Sequence, residues 1–159
     1  MKISVVAVGK IKEKYFTEAL REYSKRLNRY CRLEIQEVPD EKTPEGASAA
    51  FEEQIKEKEG QRILSALKED AYVVALAIEG KRRTSPDLAA HLEQLTVRGV
   101  SHLCFVIGGS LGLSASVLER ADEKLSFSDL TFPHQLMRVI LLEQIYRSFR
   151  IIRGEPYHK

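Results

Sequence analysis

The chain has 159 residues, 43% of them hydrophobic and 30% charged, with a formal net charge of +2. That length suits one domain whose core needs no disulfide or metal staple. No apolar run approaches the ~20 residues of a membrane span, and the charge is too close to neutral for a protein that coats nucleic acid indiscriminately.

The first apolar segment, Ile3 to Val8, follows a single basic residue. It is too short for the apolar core and cleavage site of a signal peptide, and its unbroken run matches a strand covered on both faces. Phe16, Leu20, Tyr23, Leu27 and Tyr30 recur at spacings of four and three, which predicts one apolar stripe on a helix. Leu33 and Ile35 alternate with charge in a half-buried strand ending near Val38, and Pro39 to Ser48 is a polar loop. Phe51, Ile55, Ile63 and Leu67 mark a long charged helix, with a kink or break expected near Gly60. Ala71 to Ile78 is a second buried strand, closed by Glu79-Gly80. Ser85-Pro86 reads as an N-cap with proline at the first helical position, opening a helix through Leu88, Leu92 and Leu95 that Gly99 ends. Leu103 to Ile107 is a third buried strand. Ser116 to Glu119 has the spacing of a capping box on a short helix, Leu125 to Phe132 reads as a strand or ordered loop, and Pro133 introduces the last helix. Strand and helix alternate without linker composition, so the expected architecture is one α/β domain, residues 1–159, with a mostly parallel sheet and helices on both faces.

Four places carry chemistry. Gly108-Gly109-Ser110-Leu111-Gly112 follows a buried strand, where an open α/β sheet binds ligands. It is neither the dinucleotide fingerprint nor a P-loop: the position where a ribose-binding acid would stand is Phe132, and no Gly-Lys-Ser/Thr follows. It is either a ligand-cradling turn or an ordinary tight one. Phe127-Ser128-Asp129-Leu130-Thr131-Phe132 alternates small polar and apolar groups before a helix. It suits an adenine pocket or a plain edge strand, with His134 as a capping or structural histidine. Glu143 and Arg147, four apart, form a pair on a helix so apolar that it must be core or a dimer seam. From Arg138 onward, five Lys/Arg (Arg138, Arg147, Arg150, Arg153, Lys159) stand against two acids, a larger surplus than the whole chain's. The closing Tyr157-His158-Lys159 adds a stacking phenol, an imidazole that titrates near neutrality and a phosphate-seeking amine.

Cys31 and Cys104 lie in unrelated contexts, and His91, His102, His134 and His158 show no paired ligand spacing. No disulfide framework or metal site is expected, and lone thiols point to a reducing, cytoplasmic setting.

The segments VVALAIEGK (73–81), FVIGGSLGLS (105–114) and LSFSDLTFPHQLMRVILLEQIYRSFRIIRGEPYHK (125–159) together closely resemble the ribosomal RNA large-subunit methyltransferase H family. The likeness extends to MKISVVAVGK at the start and to the chain length. It implies a SPOUT-type fold whose C-terminal part forms a deep trefoil knot, an exception to the usual topology rules. It also implies a homodimer that uses S-adenosylmethionine to methylate N3 of a pseudouridine in 23S rRNA of the ribosome. The family's cofactor positions fall on Leu76, Gly108 and Phe127, Ser128, Asp129, Leu130, Thr131 and Phe132. The expected mechanism puts His158 at the N3 proton, Tyr157 against the base and Arg153 on developing charge, with Lys159 and Arg150 on RNA. The competing readings are a noncatalytic RNA-binding module and another nucleotide-binding α/β enzyme.

Overall fold

The unbroken apolar runs become strands flanked by helices on both faces, in a computed structural model that describes residues 1–159. Ten elements alternate: β1 (Lys2–Val8), α1 (Lys14–Leu27), β2 (Arg32–Val38), α2 (Ala49–Ala66), β3 (Tyr72–Arg82), α3 (Ser85–Val97), β4 (His102–Ile107), α4 (Ala115–Arg120), β5 (Glu123–Ser126) and α5 (His134–Ile152). The five strands form one sheet in the order β2-β1-β4-β3-β5, and every pairing is parallel. This is the α/β architecture that the alternation predicts.

The twofold period of the strands divides their side chains between two cores. Ile3, Val5 and Ala7 of β1 and Leu103, Phe105 and Ile107 of β4 meet α1, α3 and α5. Val6, Val8, Cys104 and Val106 face the other way and meet Ile63 of α2 and Val117 of α4. Chain moves toward β2 run over the first face and moves toward β5 over the second, as crossovers of one hand require. The last helix is mainly core: Met137, Arg138, Leu141, Leu142, Ile145, Tyr146 and Ser148 are buried. Leu136, Val139, Ile140 and Ile151 are only half-buried.

Several local expectations are corrected. α2 runs unbroken past Gly60, whose missing Cβ makes room for Ser114 Oγ of α4. The N-cap of α3 is Thr84, whose hydroxyl accepts from the Asp87 N–H at 3.1 Å. Ser85 instead donates to Gln144 Oε1 at 2.7 Å, tying α3 to α5. α4 is capped by Ser114 rather than Ser116, which bonds Glu57 on α2.

Strand β3 does not stop at Ile78. It pairs with β5 through Leu76, leaves the ladder, and returns so that Leu125 stands opposite both Leu76 and Lys81. Gly80 permits the return, because a Cβ there would come within 2.7 Å of the Leu125 nitrogen. The excursion pushes Ala77, Ile78 and Glu79 out of the sheet at its carboxyl edge.

Candidate active site

A cavity of about 390 Å³ opens at the carboxyl ends of β3, β4 and β5, within the size range of small-molecule sites. Its walls are the 76–79 excursion, the glycine turn Gly108–Leu113, the segment Leu125–Phe132, and His134 and Met137 from the first turns of α5. Of the eight residues assigned to a cofactor in the sequence, Leu76, Gly108, Phe127, Ser128, Leu130, Thr131 and Phe132 line this cavity. Asp129 does not: its carboxylate turns outward and pairs with Arg82.

The segment after β5 has a fixed shape. Ser126 Oγ donates to the Ser128 carbonyl at 3.2 Å, and the Leu130 N–H donates to Ser128 Oγ at 3.0 Å. Phe127 and Phe132 anchor both ends in the core. The glycine turn closes with the Gly112 N–H on the Gly109 carbonyl at 3.1 Å, and Gly112 takes φ +90°. A Cβ on Gly108 would lie 2.9 Å from the Gly112 carbonyl and from Leu113, so glycine is required there by the turn's own packing. Beneath it, Glu59 is buried. One of its oxygens accepts the Glu41 N–H at 2.9 Å and the other has no partner. Burial raises its pKa, the Glu41 hydrogen bond opposing.

Sequence reasoning missed Lys56, Ile78, His134 and Met137 among the cavity residues. His134 and Met137 occupy the face of α5 that continues through Leu141, so the helical period carried a signal for them. The His134 ring is packed against Gly9, and its Nδ1 is buried without a partner. Its pKa is lowered, first by burial and then by the Arg138 guanidinium. Arg138 is 1% exposed. It donates to Glu37 Oε2 at 2.6 Å and to the carbonyls of Val8 and Gly9 at 3.0 and 2.6 Å, fastening the end of β1 to the start of α5.

The tail lies elsewhere. Tyr157 donates to Glu143 Oε1 at 3.1 Å, packs edge-on against Tyr146 and lies under the Arg147 guanidinium. Burial first, then Glu143, raises its pKa. His158 Nδ1 is 3.0 Å from Arg147 Nη1. Arg150 pairs with Glu155 at 2.8 Å and also donates to the Pro156 carbonyl. Arg153 sits over the Tyr30 ring, and Lys159 is exposed. Glu143 and Arg147 are nine and thirteen residues beyond His134, or about 14 and 20 Å along the helix axis. Tyr157, His158, Arg153, Arg150 and Lys159 therefore contribute nothing to the cavity wall of their own chain.

No group of three or more His, Cys, Asp or Glu side chains is arranged to hold a metal ion, and no helix is long and apolar enough to cross a membrane. Cys31 and Cys104 are free, each pushed up to about 11 by burial.

A family model described as "Predicted SPOUT methyltransferase" matches residues 1–158. Three proteins named "Ribosomal RNA large subunit methyltransferase H" align over 159 residues, covering all of this chain and all of each relative: 62% identical from Bifidobacterium adolescentis, 59% from Clostridium beijerinckii and 58% from Bacillus pumilus. The cavity at the carboxyl edge, the glycine turn and these matches agree: the chain belongs to the SPOUT methyltransferase family.

Proposed function

We propose that this protein transfers a methyl group from S-adenosylmethionine to RNA of the large ribosomal subunit, at N3 of a pseudouridine in 23S rRNA. In this reading it works in the cytoplasm as a homodimer, residues 1–159 forming one catalytic domain with its C-terminal part threaded as a trefoil knot. The observation that carries the reading is the cavity, with seven of the family's eight cofactor positions in its walls. The names of the relatives, 58–62% identical over their whole length, supply the substrate class.

The residues suit the cofactor. Leu76, Phe127 and Phe132 offer apolar contact to an adenosine, with Ser128 and Thr131 beside them. Lys56, whose ammonium pairs with Glu53 at 2.7 Å, also lines the cavity, and the Nδ1 of His134 is left without a hydrogen-bond partner. When bound, S-adenosylmethionine supplies an electrophilic methyl group on a sulfonium. The chain's task is then alignment, since reacting atoms must be held about 3–3.5 Å apart.

That requirement explains the dimer. The tail of one chain lies too far from its own cavity, so a second copy brings Tyr157 and His158 to it. The half-buried face of α5, through Leu136, Val139 and Ile140, is the natural seam. Arginine cannot accept a hydrogen bond, so Arg147 donates to His158 Nδ1 and leaves the ring proton on Nε2. In that state His158 donates to a carbonyl of the base. Tyr157, held protonated and bonded to Glu143, positions the base. The N3 proton passes to water.

The test is transfer of tritiated methyl from S-adenosylmethionine to large subunits and to assembled ribosomes that lack the modification, with the methylated nucleoside then identified. Label on N3 of one pseudouridine is expected. Cofactor binding without transfer to any ribosomal particle would favour the noncatalytic reading. A thermal-shift response to nicotinamide or purine nucleotides in place of S-adenosylmethionine would favour the other enzyme.

A further inference from the structure

We propose that the rim of the cavity carries a phosphate-binding track for RNA, with Lys10 and Lys12 on one flank and Lys81 and Arg83 on the other, separate from the C-terminal tail. The inference rests on the RNA-methylating reading above and adds the surface on which that substrate lies.

In a parallel sheet every strand ends at the same edge, so the turn after β1 and the end of β3 both reach the edge that holds the cavity. The segments Gly9–Lys14 and Glu79–Arg83 hold six Lys/Arg against two acids, a surplus of four in a chain whose whole charge is +2. Lys14 lies 3.9 Å from Glu18, and Arg82 pairs with Asp129. Lys10, Lys12, Lys81 and Arg83 make no ion pair, and the three lysines are exposed.

Both flanks are built, not loose. After β1, Gly9 takes φ +94°, the Ile11 N–H donates to Glu37 at 2.9 Å, and Arg138 holds the Val8 and Gly9 carbonyls. The Lys12 N–H reaches Gln135 on α5, one residue from His134 in the cavity wall. On the far side, Lys81 pairs in register with Leu125 and Arg82 with Ser126, both wall residues. Arg83 lines a neighbouring 220 Å³ cavity that shares Leu125, Ser126, Phe127 and Phe132 with the first. Between the flanks, Ile78 and Leu130 are 50% and 69% exposed and form an apolar lip on the cavity.

An aliphatic lip between unpaired cations matches a nucleotide strand, the base on the lip and phosphates on the flanks. The tail offers only two such cations, Arg153 and Lys159, because Arg147 and Arg150 are neutralised within the chain by Glu143 and Glu155.

The experiment compares the unsubstituted protein with the variant Lys10→Gln/Lys12→Gln/Lys81→Gln/Arg83→Gln. Methyl-transfer kinetics on large ribosomal subunits are measured across a series of potassium chloride concentrations. Cofactor affinity by calorimetry, melting temperature and oligomeric state are measured alongside. The expected result is a KM for the subunit raised about tenfold or more at ordinary salt, with kcat within about twofold. Its log–log salt dependence should be shallower by roughly 0.7–0.9 per lost contact, about 3 in all. Cofactor affinity and oligomeric state should stay unchanged, and arginine at the three lysine positions should preserve the affinity. An unchanged KM and salt slope would overturn the track. So would a loss of cofactor binding or a change in oligomeric state, which would assign these cations to the pocket or the dimer seam. Absence of transfer by the unsubstituted protein would instead remove the reading on which the track depends.

Discussion

Replacing Arg138 with methionine should destabilise the fold more than any surface substitution in this chain. The guanidinium is 1% exposed and makes three charge-assisted bonds, to Glu37 and to the carbonyls of Val8 and Gly9. Methionine fills much of the volume but leaves two buried carbonyls without donors, at about 1–3 kcal/mol each. The Glu37 side chain is 37% exposed and keeps its bond from the Ile11 N–H, so its loss adds little. The expected cost is about 3–5 kcal/mol, in line with breaking other buried pairs from one side. For a chain of this size that is a melting-point drop of roughly 6–20 °C. Urea unfolding gives the free energy, and thermal unfolding gives the shift. Arg138→Lys, which keeps the charge but loses the second arm, should fall between. A change below about 1 kcal/mol in Arg138→Met would refute the claim that this side chain ties β1 to α5.

Gly108→Val should abolish S-adenosylmethionine binding by collapsing the glycine turn onto Gly112 and Leu113, 2.9 Å from the new Cβ; calorimetry with the normal titration retained would contradict this. Stability should fall as pH rises from about 9 to 12. The thiols of half-buried Cys31 and buried Cys104 are held at about 11 and the Tyr72 phenol at about 12, so the folded chain keeps protons that the unfolded chain releases. Melting curves across that range should flatten in Tyr72→Phe and in the two Cys→Ala variants, and an unchanged slope would exclude these groups as the cause. The imidazoles of His134 and His102 are shifted the other way, below 6.5, chiefly by burial. The unfolded chain therefore binds protons first as the pH drops below about 6.5, and stability declines. His134→Gln should reduce that decline, measured by urea unfolding at pH 7 and pH 5.

Much of the fold was legible because its signals are local. Ile3 to Val8 and Leu103 to Ile107 read as doubly covered strands since only Ser4 interrupts their apolar runs, and each is buried throughout, with Ser4 bonded to His102 at 2.7 Å. What misled were positions set by tertiary contact. Gly60 looks like a helix breaker, yet it only admits Ser114. Thr84 and Ser114 took the caps from Ser85 and Ser116 because the latter bond to neighbouring helices. The return of β3 through Lys81 and Arg82 depends on a register shift that no periodicity encodes. The cavity walls at Gly108 and, Asp129 apart, 127–132 were visible through family likeness. His134 and Lys56 were not, because a histidine just after a proline at a helix start reads as a capping or structural residue and Lys56 is one lysine among many on a charged helix. The tail's grouping of phenol, imidazole and cations was legible, but its separation from the cavity needed the path of α5.

The account's central claim is that the cavity of one chain and the tail of another make a single site. Two variants test it: Ala77→Trp, which fills the cavity, and deletion of Tyr157 to Lys159. Each alone should transfer no methyl group to large ribosomal subunits, the first also failing to bind S-adenosylmethionine and the second still binding it. Mixed and allowed to exchange subunits, they should recover up to about a quarter of the normal rate, because half of the dimers are then mixed and each carries one complete site. No recovery in mixtures shown to contain the mixed dimer, or full activity in the tail deletion alone, would contradict the claim.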